Sequence, residues 1–300
     1  MTTNDTLSNL TSEEFQVFVR ESGVDVDNLQ LDKLSANDLF QWVMETVAKL
    51  HKLDIDYKQE GWNIDFNKEG VTVARLLSYD FGLNNAQAFT IAKNKALTSR
   101  FLTASDISHV EHHQLTHTSL FNDVDSRKVF DEFKANNDFP CVVKQSNGGG
   151  GKNIYFAYND FDLVMAIAEL KAHNAQISLS PYYDFGIEYR CTVLNGEVLM
   201  AYGKTKGENQ QNNLSKGAQV VDVPESLKED LYALAVKTNN ALGLDFTNID
   251  IIDTAGGLRV LEVNGTVTMK RVLCAGHKYI YNTLEVYYKA IEEVLKRKTK

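Results

Sequence analysis

Disulfides, membrane spans and a basic surface are all missing from this sequence of 300 residues. Its three cysteines, Cys141, Cys191 and Cys274, are odd in number and far apart. That excludes a disulfide framework and predicts reduced core residues of a cytoplasmic protein. No apolar run approaches the roughly 20 residues that cross a bilayer, so no membrane partner is expected. The opening MTTNDTLSNLTSEEF has neither a basic n-region nor an apolar h-region, so a signal peptide is not expected there. A net charge of −9 lacks the basic footprint of nucleic-acid binding and excludes nucleic acid as a partner. There is no G-x-S-x-G and no Cys–His signature, hence no dedicated nucleophile. Internal repeats and low-complexity linkers are absent too.

What is present is an ordinary globular composition, 43% hydrophobic and 24% charged, with core enough for one large or two modest domains. Residues 1–60 are patterned as helix, with Thr11/Glu14 and Ser35/Asp38 at capping-box spacing. NIDFNKEGVTVARLL predicts a hairpin around Lys68-Glu69-Gly70. From residue 84, NNAQAFTIAKNKALTSRFLTASDI has helical spacing. Asp160 is expected to cap a helix with Leu163, Val164, Ile167 and Leu170 on one face. Asn195-Gly196 marks a hairpin in YRCTVLNGEVLMAY, residues 226–242 read as helix, and TNIDIIDTAGGLRVLEVNG reads as a further hairpin. The end, YNTLEVYYKAIEEVLKRK, is an amphipathic helix whose tyrosines predict core packing or a homo-oligomer face. This order predicts an α+β protein with helices packed on sheets.

Chemistry concentrates in two stretches. FPCVVKQSNGGGGKNIY places four glycines, Gly148 to Gly151, between two strand-like runs. It is not a P-loop, because Ser146 stands where the first glycine belongs and Asn153 replaces the hydroxyl residue. Nor is it a dinucleotide fingerprint, which needs glycine at position 153. What remains is a run of N–H groups able to form an anion-binding concavity, with Lys152 adding charge. Lys144, in an apolar strand, must point at something charged. Lys144, Lys152, Arg190, Lys204, Lys206 and Lys216 punctuate this region of an otherwise acidic chain, which suggests a small anionic ligand. In the second stretch, a turn near Gly256 places Asp250 opposite Glu262, with Asn264 on the same face. Facing carboxylates repel unless a cation lies between them, and hard oxygen donors suit Mg²⁺ with substrate phosphates.

Two features stay outside this pattern. SHVEHHQLTHT carries His109, His112, His113 and His117. His113 and His117 could hold Zn²⁺ from one helix face, but the stretch reads as strand and loop, so surface histidines are expected. Lys270-Arg271 either meets an acidic substrate or is solvated.

In order along the chain come LNNAQAFTIAKNKALTSRFL, PCVVKQSNGGGGKNIYF, NLSKGA and NIDIID…LEVNG. Together they resemble the ATP-grasp superfamily, most closely RimK-type glutamate ligases and the ATP-grasp half of cyanophycin synthetase, over residues 84 to about 275. The resemblance implies an ATP-grasp domain at 84–300, with a lid at about 139–182, preceded by a divergent, partly helical α+β domain at 1–83. It implies that Lys95 and Lys144 hold the ATP phosphates beneath a lid of Gly148, Gly149, Gly150, Gly151 and Lys152. Asp250, Glu262 and Asn264 would bind two Mg²⁺ ions, with Mn²⁺ as a substitute. Ser180 and Tyr182 would belong to a hinge strand whose backbone reads adenine, Arg190 would steady an acyl-phosphate, and Asn213 and Lys216 would lie near the triphosphate. Asn94 departs from the family's usual Asp, and Pro181 from a ribose-binding glutamate. The implied activity joins a small-molecule or peptide carboxylate to an amine, releasing ADP and phosphate. A small-molecule kinase and a catalytically silent ATP-binding regulator remain alternatives.

Overall fold

The computed structural model describes residues 10–58, 63–115, 124–148, 152–173, 175–207 and 213–298. Helix α1 (Ser12–Glu21) and helix α2 (Ala36–Leu50) begin at the two expected capping boxes. In each, the cap hydroxyl accepts from the N–H three residues on, and the acid there accepts from the cap N–H. The helical expectation fails at residue 54. There β1 (Asp54–Lys58) pairs with β2 (Asn63–Lys68), which pairs with β3 (Val71–Leu77) in an antiparallel sheet. β1 is short and only half-buried on its inner side, so its period-two pattern is weak beside the helix before it. The β2–β3 turn falls at Glu69-Gly70 as expected, with both residues at positive φ.

The run expected as one helix is two, α3 (Ala86–Ala92) and α4 (Lys95–Ala104), divided where Asn94 caps α4 by accepting from the Leu97 N–H. Next come β4 (His113–Leu115), α5 (Val124–Asn136), β5 (Cys141–Gln145), β6 (Ile154–Ala157), α6 (Asp160–Ala172) and β7 (Ile177–Pro181). They form an antiparallel sheet in the order β4-β7-β5-β6, with Phe133, Val143, Leu163 and Leu170 in its core. The cap of α6 is Asn159, not Asp160, which is the first helical residue.

The central sheet, in the order β10-β9-β8-β11-β12, joins β8 (Glu188–Leu194), β9 (Glu197–Lys204), β10 (Val220–Val221), β11 (Phe246–Thr254) and β12 (Gly257–Asn264). Alternation sorts its side chains. Tyr189, Cys191, Ile249 and Ile251 are buried in one cluster with residues of α3, α4 and α7 (Glu225–Ala241). The opposite face is left for polar residues, and α8 (His277–Lys298) packs over one end of it, sharing a core with Met200, Tyr202, Phe246 and α2. Of the expected core cysteines, Cys141 and Cys191 are buried, but Cys274 is exposed on the short turn Val272–Ala275. No described helix is long and apolar enough to cross a membrane.

One contact between α2 and α8 makes stability depend on pH. The His51 ring stacks on Tyr288 at 4.0 Å, and its Nε2 bonds the Tyr288 carbonyl at 3.0 Å. Burial pushes its pKa from 6.5 down to about 4, against the opposing carbonyl bond. Between those values the unfolded chain takes up a proton that the native chain does not. Stability is therefore intact above about pH 6.5 and falls as the pH drops towards 4, by on the order of 2–3 kcal/mol. Urea titrations at pH 7 and 4.5 should give a larger loss for the wild type than for His51→Gln; equal losses would contradict it.

Candidate active site

Strand register brings the distant polar residues together. On the open face of the central sheet, Tyr202, Arg190, Asp250 and Glu262 stand in one row across β9, β8, β11 and β12. Thr192, Asn248 and Asn264 form the next row, and Lys204 and Glu188 the row on the other side. The predicted Asp250–Glu262 pairing is found, but by a route the sequence conceals. The tight turn pairs Thr254 with Gly257, and an irregularity after Asp250 then shifts the register by one residue. Without that shift Asp250 would face Leu261.

Asp250 is the most heavily bonded group in the sheet. Arg190 grips it with two bonds, Nε to Oδ1 at 2.8 Å and Nη2 to Oδ2 at 2.7 Å. Lys204 donates to Oδ1 at 3.0 Å and Asn264 Nδ2 to Oδ2 at 3.2 Å. Burial pushes the Asp250 carboxyl up, but Arg190 and Lys204 outweigh it and hold it well below the usual carboxylate range. Lys204 is shared with Glu188, whose own carboxyl is raised by burial and by Asp250 despite that lysine.

Beside this cluster lie the two predicted phosphate-binding lysines. Lys95, 8% exposed, starts α4 and reaches Glu262 Oε1 at 3.0 Å while donating to the Gly148 carbonyl. Its N–H is bonded to the Ser146 carbonyl at 3.2 Å, and Ser146 Oγ bonds Asn94 at 3.1 Å. The residue at the departed family position thus fastens the start of the glycine stretch to α4. Lys144 is buried as expected, with no carboxylate at ion-pair distance among the described residues. Burial pushes its pKa down to about 8, Glu262 opposing and Lys95 adding to the fall.

Except for Lys95, Ser146 and Asn94, which are not among its lining residues, these groups line a cavity of about 990 Å³ between the four-stranded and five-stranded sheets. One end is an apolar slot of Val142, Ile154, Phe156, Ile252 and Leu261, bordered by Ser180 and Tyr182. The Tyr182 N–H is already given to the Pro140 carbonyl at 3.3 Å, so Tyr182 offers its ring, set edge-on to Phe156, rather than a hydrogen bond to a base. Pro181 lines the same slot. Lys144, Arg190, Asp250, Glu262, Asn264 and Asn213 line the cavity too. Asn213 caps the turn Leu214–Lys216, accepting from the Ser215 N–H at 3.0 Å. Lys152 is exposed and is not among the lining residues. Gly149, Gly150, Gly151 and the Lys216 side chain lie outside the described residues.

The partnership of Lys204 and Glu188 with Asp250 escaped the sequence reading; its one signal was the pair of charges Glu188 and Arg190 two residues apart in β8, on one face of the strand. The expected surface histidines are corrected. His109 and His112 are buried, their rings bonded to Ser99 and Ser178 at 2.9 and 3.1 Å. His113 is half-buried in β4, and His117 lies outside the described residues. No group of three His, Cys, Asp or Glu suited to a metal occurs among the described residues.

Comparison with known proteins agrees with this geometry. A family model described as the RimK-like ATP-grasp domain matches residues 92–277. The tetrahydromethanopterin:α-L-glutamate ligase of Methanocaldococcus jannaschii is 28% identical over 192 residues, covering 61% of this chain and 62% of that protein. A probable α-L-glutamate ligase of Serratia proteamaculans is 31% identical over 136 residues, 44% of this chain and 45% of its own length. The chain thus spans about three-fifths or less of these relatives. Among solved structures, D-alanine–D-alanine ligase from Bacillus anthracis superposes with a TM-score of 0.55 at 20% identity, over 71% of this chain and 72% of that one. VanG D-Ala:D-Ser ligase from Enterococcus faecalis gives 0.50 at 16% identity, over 68% and 64%. Both share the fold of this chain, and with most of its length matched by the family model, this chain belongs to the RimK-like ATP-grasp family.

Proposed function

We propose that the protein is a cytoplasmic, ATP-dependent ligase that joins an amino-acid or peptide carboxylate to an amine through an acyl-phosphate, releasing ADP and phosphate. The observation that carries this reading is the meeting, in one cavity, of a buried Lys144, with no carboxylate at ion-pair distance among the described residues, and carboxylates paired across adjacent strands. Phosphoryl transfer needs little beyond such positioning and charge neutralisation. The apolar slot takes the base, and Lys95 and Lys144 take the phosphates, covered by Gly148 to Gly151 and Lys152. Arg190, Asn213 and Lys216 steady the transferred group and the acyl-phosphate.

The donor set fits Mg²⁺. Glu262 is 27% exposed towards the cavity and uses one oxygen on Lys95, and Asn264 spends its NH₂ on Asp250, leaving its carbonyl. Asp250 would be the third group to hold the ions, its oxygens being shared here with Arg190, Lys204 and Asn264. Bound there, two Mg²⁺ ions, or Mn²⁺ in their place, neutralise charge on the phosphates. Residues 84–300 act as the ATP-grasp unit, with a lid at about 139–182, and residues 1–83 as an added unit. Relatives named as glutamate ligases favour an amino acid among the substrates.

The test is product stoichiometry with ATP, Mg²⁺ and pooled amino acids, dipeptides and short peptides. The ligase releases ADP and phosphate in equal amounts with a new amide in the mass spectrum. ADP without phosphate marks a kinase, and no ATP consumption with any pool overturns the reading. Lys144 adds a pH signature. Its ammonium is present below about pH 8 and is lost above it, so ATP affinity should fall as pH rises, approaching about tenfold per unit. Lys144→Arg, which stays charged, should flatten that profile; a wild-type affinity unchanged from pH 7 to 9.5 would contradict the assignment.

A further inference from the structure

Helix α6 is apolar on two sides. Along β5 and β6, Val142, Lys144, Ile154 and Phe156 face the cavity. Cys141, Val143 and Ala157 pack on the other side of the sheet, in one core with Leu163, Ala166, Ile167 and Leu170 of α6, so the helix lies behind the sheet and away from the cavity. Val164, expected on that buried face, is 46% exposed instead, and Phe161 and Met165 are 73% and 54% exposed. With the exposed Ala168 they fall at i, i+3, i+4 and i+7, one continuous stripe on the outer side of the helix. No other single element exposes three large apolar side chains among the described residues. A helix apolar all round belongs in an interior.

Size and charge both say what covers this stripe. At these exposures it presents on the order of 400 Å², as large as the patches that usually mark an interaction site. Two such stripes with their polar borders bury about 1,000 Å² in total, the low end for a specific interface. The first turn of α6 is acidic, with Asp160 and Asp162, and the last turn carries Lys171. That polarity complements itself when a second copy of the helix runs antiparallel. A two-fold axis between Val164 and Met165 sets Phe161 against the small Ala168 of the second copy at both ends. Asp160 and Lys171, three turns apart, share one border of the stripe, and like borders meet across such an axis. Each Asp160 then stands within about 3 Å, along the helix, of the level of Lys171 in the second copy. Within the chain Asp160 is paired with Lys134, and Lys171 has no acid at ion-pair distance among the described residues. The other border brings Asp162 and Glu169 together, but both are already occupied. Asp162 accepts from the Tyr158 N–H and from Asn159 Nδ2, each at 3.1 Å, and Glu169 lies 3.5 Å from His173.

We propose that α6 is a homodimer surface. Two copies of this chain pair antiparallel through the stripe of Phe161, Val164, Met165 and Ala168, with micromolar affinity and with each cavity on the far side of its own sheet. The proposal is independent of the ligase reading.

The test is sedimentation velocity of the full chain from about 1 to about 200 µM. The mass should move from 33.7 kDa towards twice that value as concentration rises. Phe161→Glu and, separately, Met165→Glu should weaken the dimer at least about 100-fold with wild-type Tm, since both positions are exposed. Asp160→Lys and Lys171→Glu should each weaken it about tenfold, because each sets like charges against one another twice. An equal mixture of those two variants should regain the wild-type affinity, since the mixed dimer restores both opposite-charge pairs. A monomer at every concentration, a dimer that both glutamate variants leave unchanged, or a mixture no tighter than its components would each overturn the proposal.

Discussion

Glu262→Gln turns over ATP at least about a thousandfold more slowly than the wild type, with a Tm close to it. The substitution keeps an oxygen for Lys95, whose ion pair at 3.0 Å becomes an ordinary hydrogen bond, so little is asked of the fold. What disappears is a negative charge at the edge of the cavity, opposite Asp250 and within electrostatic reach of Lys144. A carboxylate there balances cations around a polyphosphate, and an amide does not. Steady-state ADP release and a thermal melt on the same preparation decide it. Near-normal turnover in the folded variant would remove Glu262 from the site.

Asp250→Asn acts on a different quantity. The group is 4% exposed and holds Arg190 by two bonds and Lys204 by one. Neutralising it strands two buried cations with Glu188 alone, and breaking a buried pair by removing one partner costs about 3–5 kcal/mol. The same change frees Asn264 and Arg190 from their positions, so turnover falls along with stability. Urea unfolding monitored by tryptophan fluorescence should give a midpoint far below the wild type. A loss under about 1 kcal/mol would mean that solvent or local movement compensates the cations. Glu262 and Asp250, facing each other on one hairpin, thus separate into a group whose loss is felt in chemistry and a group whose loss is felt first in folding.

The hairpin was legible because everything that sets it is local: a glycine turn, β-branched runs and period-two alternation within about twenty residues. Lys144 was legible for the same reason, as a cation inside an apolar strand. The grip on Asp250 was not. Arg190 and Lys204 reach it from 60 and 46 residues away, and strand order across a five-stranded sheet is not written in any one strand. The register shift after Asp250 was equally hidden, although the predicted pair is the one found. β1 was lost to the helix preceding it, since its inner residues, Ile55 and Tyr57, are only half-buried. His109 and His112 read as surface residues because the hydroxyls their rings bond, Ser99 and Ser178, come from other elements. Polar residues can be buried when remote partners arrive, and one stretch of sequence does not display those partners.

The central claim is that a carboxylate is activated by phosphorylation in this cavity. It is tested most directly with substrates carrying ¹⁸O in their carboxyl groups, supplied as pooled amino acids and short peptides with ATP and Mg²⁺. If the carboxylate attacks the γ-phosphoryl group and an amine then displaces phosphate, one ¹⁸O leaves with each phosphate released. The account predicts singly labelled phosphate in step with ADP and a new amide, and none from Glu262→Gln. Phosphate that carries no ¹⁸O would mean that water, not a carboxylate, takes the phosphoryl group, and would contradict it.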